Sequence, residues 1–329
     1  MIGSLTFFIL SCRNTSTKVG YLNWNGENEI AAKTLEFFKE KTTKLGVEVL
    51  DMDAHNNDKE QYEQAMELIN QGVKVLVIKP VNSVTAAAIV REANKKGVVV
   101  IANDQLIKNC DLDYYVTFDS RKVGEYMAKE AIMQKPEGTY VLLGGDKSDD
   151  NADLVREGVL KVLQPQIDNH KINVLYNCYI EDWSEENAKK EFETIIRLSP
   201  DTKIDAVIAS CDDMARGAIN VLKKNNLLND VYVSGQNADL LSLRMIIQGE
   251  QSITIAKSPK ITGYALAALA VKVVTKSNDK LDYDINANTF NGVKEVPSIL
   301  FDPEVVNKEN LEQVISKDGI VKREELFEK

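Results

Sequence analysis

Seven short apolar runs in this chain end in polar residues whose types suit the hydrogen-bonded capture of a ligand. Trp24-Asn25 close the first run, Asn103-Asp104-Gln105 close the fourth, and Asp146 to Asn151 follow Gly145. Trp183 lies past Tyr176, Cys211-Asp212 end DAVIAS, Gln236-Asn237 end VYVSG, and Lys257 ends SITIA. Carboxylates, amides, an ammonium and two indoles match a neutral polyhydroxylated molecule. Each hydroxyl donates and accepts, so it pairs with Asp or Asn, while the apolar C–H face packs on an indole. Taken singly, Asp150 and Asp212 also suit helix N-caps, and a lone tryptophan also suits a core. Recurrence at seven run ends is what points to a ligand.

Other chemistry has no foothold. The two histidines, His55 and His170, have no partnering nucleophile motif, and no G-x-S-x-G elbow is present. Neither G-x-x-x-x-G-K-[ST] nor G-x-G-x-x-G occurs, so no glycine loop cradles phosphates. Asp149 to Asp153 begin like a calcium loop, but Leu154 stands where glycine is required and Leu160 where a bidentate glutamate is required. The cysteines, at 12, 110, 178 and 211, form no C-x-x-C pair, and Cys110 and Cys178 read as free thiols. The expectation is a protein that is no enzyme and needs no metal or cofactor. With 40 basic against 50 acidic residues, the net charge of −10 argues against a nucleic-acid partner.

Residues at run ends must be carried by regular elements, and the hydrophobic periodicity supplies them. Strands are predicted at 18–24, 47–53, 73–80 and 98–104, with helices at 27–45, 58–71 and 83–96 between them, each helix closed by Gly46, Gly72 or Gly97. The runs are nearly continuous Val, Ile and Leu, as in parallel strands covered by helices on both faces. After YYVTF (114–118) a second series follows. It has strands at 139–145, 171–176, 205–210, 231–235 and 252–256, and helices at 120–134, 150–164, 184–198, 212–227 and 239–247. KITGYALAALAVKVVT (260–275) reads as a buried helix, and VPSILFDPEVV (296–306) as a segment crossing back between lobes. With 329 residues, 44% of them hydrophobic, the chain can bury a core in each of two lobes. The predicted division is 18–119 plus 258–289, and 120–257 plus 290–329, both α/β and doubly wound.

Residues 1–17 are set apart as a signal and tether. MIGSLTFFILSC is too short to span a bilayer and reads as the apolar core of an export signal, although no Lys or Arg precedes it. Ile9-Leu10-Ser11-Cys12 resembles a bacterial lipobox. That places Cys12 as a lipidation site and the body outside the cytoplasm, anchored to the membrane.

Six segments carry a resemblance to a known family. They are GVKVLVIKPVN (72–82), DLDYYVTFDSRKVGE (111–125), LLGGDKSDDNADLVREG (142–158), IDAVIASCDDMARGAI (204–219), VYVSGQNADL (231–240) and VKEVPSILFDPEVVNKENL (293–311). On these the chain resembles the type I periplasmic sugar-binding proteins, in their xylose-binding branch. The resemblance implies two Rossmann-like lobes joined by three crossover strands, near 119, 257 and 290, closing about a sugar held in the hinge. D-xylose or a related pentose is the implied ligand. An ABC permease is the implied membrane partner, with the extracellular domain of a sensor histidine kinase as the alternative. Asp104, Asn151, Trp183, Asp212 and Lys257 match positions that face the sugar or its immediate shell. Glu27 and Gln105 stand where the family has arginines, Cys211 where it has asparagine, Asn237 where it has aspartate, and Ala31 where it has an aromatic. Trp24 is placed to supply the missing stacking face.

Overall fold

A computed structural model of the chain describes residues 17–277, 281–318 and 321–327. Its first half alternates β1 (Lys18–Asn23), α1 (Glu29–Lys44), β2 (Glu48–Asp53), α2 (Asp58–Asn70), β3 (Val75–Ile78), α3 (Ala87–Lys95), β4 (Val99–Asn103) and β5 (Tyr114–Phe118). Then follow α4 (Ser120–Gln134), β6 (Gly138–Gly144), α5 (Asp150–Asp168), β7 (Ile172–Tyr179), α6 (Glu185–Leu198), β8 (Ala206–Ala209), α7 (Asp212–Lys224), β9 (Tyr232–Gln236), α8 (Leu240–Gln248) and β10 (Ile253–Ala256). The chain ends through α9 (Pro259–Thr275), β11 (Ala287–Phe290), β12 (Glu295–Phe301), β13 (Glu304–Asn307), α10 (Leu311–Asp318) and α11 (Arg323–Phe327).

Two sheets result. The first runs β11-β12-β5-β4-β3-β1-β2 and the second β13-β10-β9-β8-β6-β7. All neighbours pair parallel except the two edge strands, β11 against β12 and β13 against β10. The central strands β3 and β8 are buried along their whole length, as strands sandwiched between helix layers must be. Strand order reverses between β1 and β3 in the first sheet, and between β6 and β8 in the second. In open α/β sheets such a reversal opens a crevice at the carboxyl ends of the strands.

The chain leaves the first sheet after Phe118, returns after Ala256, and leaves again after Phe301. The outgoing strands are tied together, with Phe118 paired to Phe301 and the Asp119 amide donating to the Phe301 carbonyl at 2.9 Å. This corrects the division read from the sequence, which gave 290–329 to the second lobe. Residues 295–301 pair with β5 in the first sheet, so the third crossing lies at Asp302-Pro303. A parallel ladder to a strand some 180 positions away has no local signature. Neither antiparallel edge strand nor the two terminal helices were expected from periodicity. The Cys12 lipidation site, and residues 1–16 of the tether, lie outside the described residues.

Helix α9 is the buried helix expected at 260–275, packed on α1 so closely that a Cβ on Gly263 would sit 2.6 Å from the Thr34 carbonyl oxygen. Helices α4 and α5 approach still more tightly. A Cβ on Gly158 would lie 2.1 Å from the Arg121 carbonyl oxygen, and one on Gly124 1.9 Å from that of Val155. Backbone cannot yield as a flexible side chain can. Gly158→Ala is therefore expected to destabilise the second lobe by about 1–3 kcal/mol, read as a lowered urea midpoint with unchanged slope. An unchanged midpoint would show that the helices separate freely.

Candidate functional site

A cavity of about 550 Å³ lies between the lobes, at the carboxyl ends of the strands flanking both reversals. Trp24, Asp104 and Gln105 line it from the first sheet. Asn151, Trp183 and Asn237 line it from the second, with Lys257 entering at the middle crossing. Seven of the nine ligand-facing residues expected from the sequence are thus brought to one place.

Asp104 is the centre of the first wall. It sits immediately after β4 with φ of 66°, a conformation few non-glycine residues adopt. Three groups hold its carbonyl oxygen there: Tyr115 Oη at 2.9 Å, Thr117 Oγ1 at 3.1 Å and, from the opposite lobe, Asn151 Nδ2 at 3.2 Å. Its carboxylate faces Lys79 Nζ at 2.8 Å and Lys257 Nζ at 3.7 Å. Burial alone would raise the Asp104 carboxyl pKa, but the two ammonium groups overrule it and hold it well below the usual carboxylate range. Lys79 also lies 5.4 Å from the Trp24 ring centroid, within cation–π reach.

Lys79 is a site residue that the sequence reading passed over. Its signal was present: a lysine ending the apolar run VKVLVI, fixed by Pro80 at the strand's carboxyl end. Asp149 is another. It caps α5 by accepting from the Asn151 amide at 2.9 Å and takes the Gln105 Nε2 donor across the cleft at 2.8 Å. Burial raises its carboxyl pKa. A third interlobe bond, Lys108 Nζ to Asp150 Oδ1 at 2.5 Å, lies outside the cavity.

The second wall is built around Trp183, on a short 3-10 turn, Glu181–Trp183, after β7. Its indole lies over Gly145, where a Cβ would meet ring carbons at 2.2 Å, so only glycine leaves the ring its place. Asp146 pins the turn from below, accepting from the Asp182 amide at 2.6 Å and from Ser148 N and Oγ at 2.7 and 2.6 Å. Cys211 Sγ, buried, lies 3.5 Å from the Trp183 carbonyl oxygen, and burial pushes the thiol pKa up to about 12.

Two expected residues are elsewhere. Asp212 is fully buried beneath the cavity, its carboxylate accepting from Gln251 Nε2, Thr254 Oγ1 and the Asp239 amide at 3.0, 3.0 and 3.1 Å. Desolvation first, and then the Asp239 charge, raise its carboxyl pKa. Its neighbours Cys211 and Asp213 face the cavity instead, because the first turn of α7 rotates Asp212 toward β9 and β10. Glu27 is exposed and does not line the cavity. The Asn25–Asn28 turn is pinned by the Gly26 amide on Asp53 Oδ2 at 2.8 Å, which presents Asn28 to the cavity and leaves Glu27 outside.

Among the described residues no three His, Cys, Asp or Glu side chains converge to hold a metal, and no helix is long and apolar enough to cross a membrane. Cys110, Cys178 and Cys211 are free thiols.

Residues 19–278 match the periplasmic binding protein domain family. The chain is 37% identical over 327 residues to the D-xylose-binding periplasmic protein of Haemophilus influenzae, covering 99% of this chain and 97% of that one. It is 39% identical over 294 residues to the D-xylose-binding periplasmic protein of Escherichia coli, covering 89% and 88%. Among solved structures, an ABC transporter solute-binding protein of Clostridium phytofermentans with bound β-D-glucose superposes with a TM-score of 0.85 at 26% identity, covering 94% and 100%. Two doubly wound lobes, three crossings, an interlobe cavity and a family match over most of the chain agree: this protein is a member of the periplasmic binding protein family, a family of binding proteins and not of enzymes.

Proposed function

We propose that the interlobe cavity binds D-xylose or a closely related pentose, and that the lobes close about the crossings at 119, 257 and 302–303 to hold it. The observation that carries this reading is the composition of the two walls. A carboxylate flanked by two ammonium groups faces amides and a second carboxylate, with an indole on each side. Asp104 keeps lone pairs for sugar hydroxyls beside donors from Lys79 and Lys257, and Trp24 and Trp183 offer apolar faces to the ring. Similarity to two D-xylose-binding proteins over most of the chain supports the choice of pentose. The receiving partner in this reading is an ABC permease, and the protein works outside the cytoplasm, held to the membrane through a lipid on Cys12. Isothermal titration against D-xylose, D-ribose, L-arabinose and D-glucose tests the ligand. Saturable heat is expected with D-xylose and less with the others; no heat with any aldopentose overturns the reading.

A further inference from the structure

Arg216, on the first turns of α7, does not line the cavity, yet it is nearly buried and binds acidic residues where three strand-to-helix loops enter their helices, its own α7 included. Its Nε donates to Glu185 Oε2 at 3.1 Å, one Nη to Asp239 Oδ2 at 2.6 Å and to Ser242 Oγ at 3.2 Å, and the other Nη to Asp213. These partners sit at the starts of α6, α8 and α7, just past the carboxyl ends of β7, β9 and β8. Each loop delivers a cavity residue within two positions of its anchor: Trp183 before Glu185, Asn237 before Asp239, and Asp213 itself.

Two of those loops are conformationally unfavourable. Asp182 and Trp183 have φ of 58° and 53°, and Asn237 and Ala238 have φ of 106° and 55°. Consecutive non-glycine residues in this region persist only where the surroundings over-determine them. In both loops the residue that follows the left-handed pair, directly or after one position, is an Arg216 anchor. The planar fork of a guanidinium can satisfy several carboxylates in fixed directions at once, which an ammonium cannot.

We propose that Arg216 is the positioning residue of the second wall, holding the Trp183 and Asn237 turns in ligand-ready geometry through Glu185 and Asp239. This rests on the pentose reading only for the choice of ligand.

The test uses the full chain labelled with 5-fluorotryptophan, in which the two tryptophans give two fluorine resonances, assigned with Trp24→Phe and Trp183→Phe. In the sugar-free protein, Arg216→Met is expected to shift and broaden the Trp183 resonance and leave that of Trp24 in place. Glu185→Ala, at a partly exposed helix start, cuts the tie to the Trp183 turn, along with an exposed bond from Asn220 Nδ2, and is expected to do the same if Arg216→Met does not fold. Arg216→Lys should keep the charge but not the geometry, so its Trp183 resonance should resemble that of Arg216→Met. Titration with D-xylose should show affinity lowered about tenfold in Arg216→Met, the equivalent of one charged hydrogen bond lost. An unmoved Trp183 resonance in folded Glu185→Ala, or D-xylose affinity within about twofold of the parent in folded Arg216→Met, overturns the proposal. Absence of D-xylose binding by the parent counts against the pentose reading alone, and the fluorine spectra still decide the role of Arg216.

Discussion

Asp104→Ala is expected to weaken D-xylose binding by about 30- to 150-fold, equivalent to about 2–3 kcal/mol, in isothermal titration. Two losses add. The sugar hydroxyls lose their acceptor, and Lys79 and Lys257, paired to Asp104 at 2.8 and 3.7 Å, are left facing each other. Because the Asp104 side chain keeps some exposure, the figure is set below that of a fully buried pair. The pH dependence follows from the same geometry. A depressed carboxyl pKa means the ionised form is favoured in the folded protein, so its contribution is present at neutral pH. That contribution is lost only as pH falls through the depressed value, well below the usual carboxylate range. Asp149 has the opposite shift, raised by burial, and so is protonated first as pH falls. Affinity of the parent should therefore decline toward the acid side before Asp104 titrates, and Asp149→Asn should remove that early decline. An Asp104→Ala protein that binds like its parent would place the sugar elsewhere.

Gly145→Ala is the second large effect, although Gly145 does not line the cavity. The added methyl would occupy space 2.2 Å from the Trp183 ring, and the indole must leave its seat. A displaced stacking residue of this type costs about 2 kcal/mol, or about 30-fold in affinity. Trp183→Ala should cost about the same. The double variant should cost no more than Trp183→Ala alone, because both changes remove one interaction. Additive losses would mean that Gly145 acts through something other than the indole.

These results depend on different levels of information. The alternation of apolar runs with helical periodicity made the two doubly wound lobes legible, since parallel strands buried on both faces have few other sequence solutions. Polar residues at run ends were legible as the lining of the interlobe cavity, because the carboxyl edge of such a sheet is where its crevices open. Family resemblance then pointed to a pentose as the expected ligand without any residue being seen in place. Lys79 shows where reading stopped short: the residue ends a strand, but its value comes from Asp104, 25 positions away at the end of the neighbouring strand.

What only the tertiary structure decided is which neighbour at each strand end faces the cavity, and what holds it there. Cys211, Asp212 and Asp213 are equivalent as a string, yet the middle one is fully buried on Gln251 and Thr254, while its neighbours line the cavity. The third crossing moved from 290 to 302–303 because β12 found a partner in β5, a pairing with no local cue. Arg216 reads as one more charge on an amphipathic helix until the starts of α6 and α8 are folded against it. The sequence by itself determined the lobes, the edge on which the site lies and the kinds of group that line it, because hydrophobic period and strand termini are local properties. Side-chain direction at a helix start, strand partnership and the anchoring of strained turns depend on contacts between residues far apart in the chain, and those exist only once the lobes are assembled.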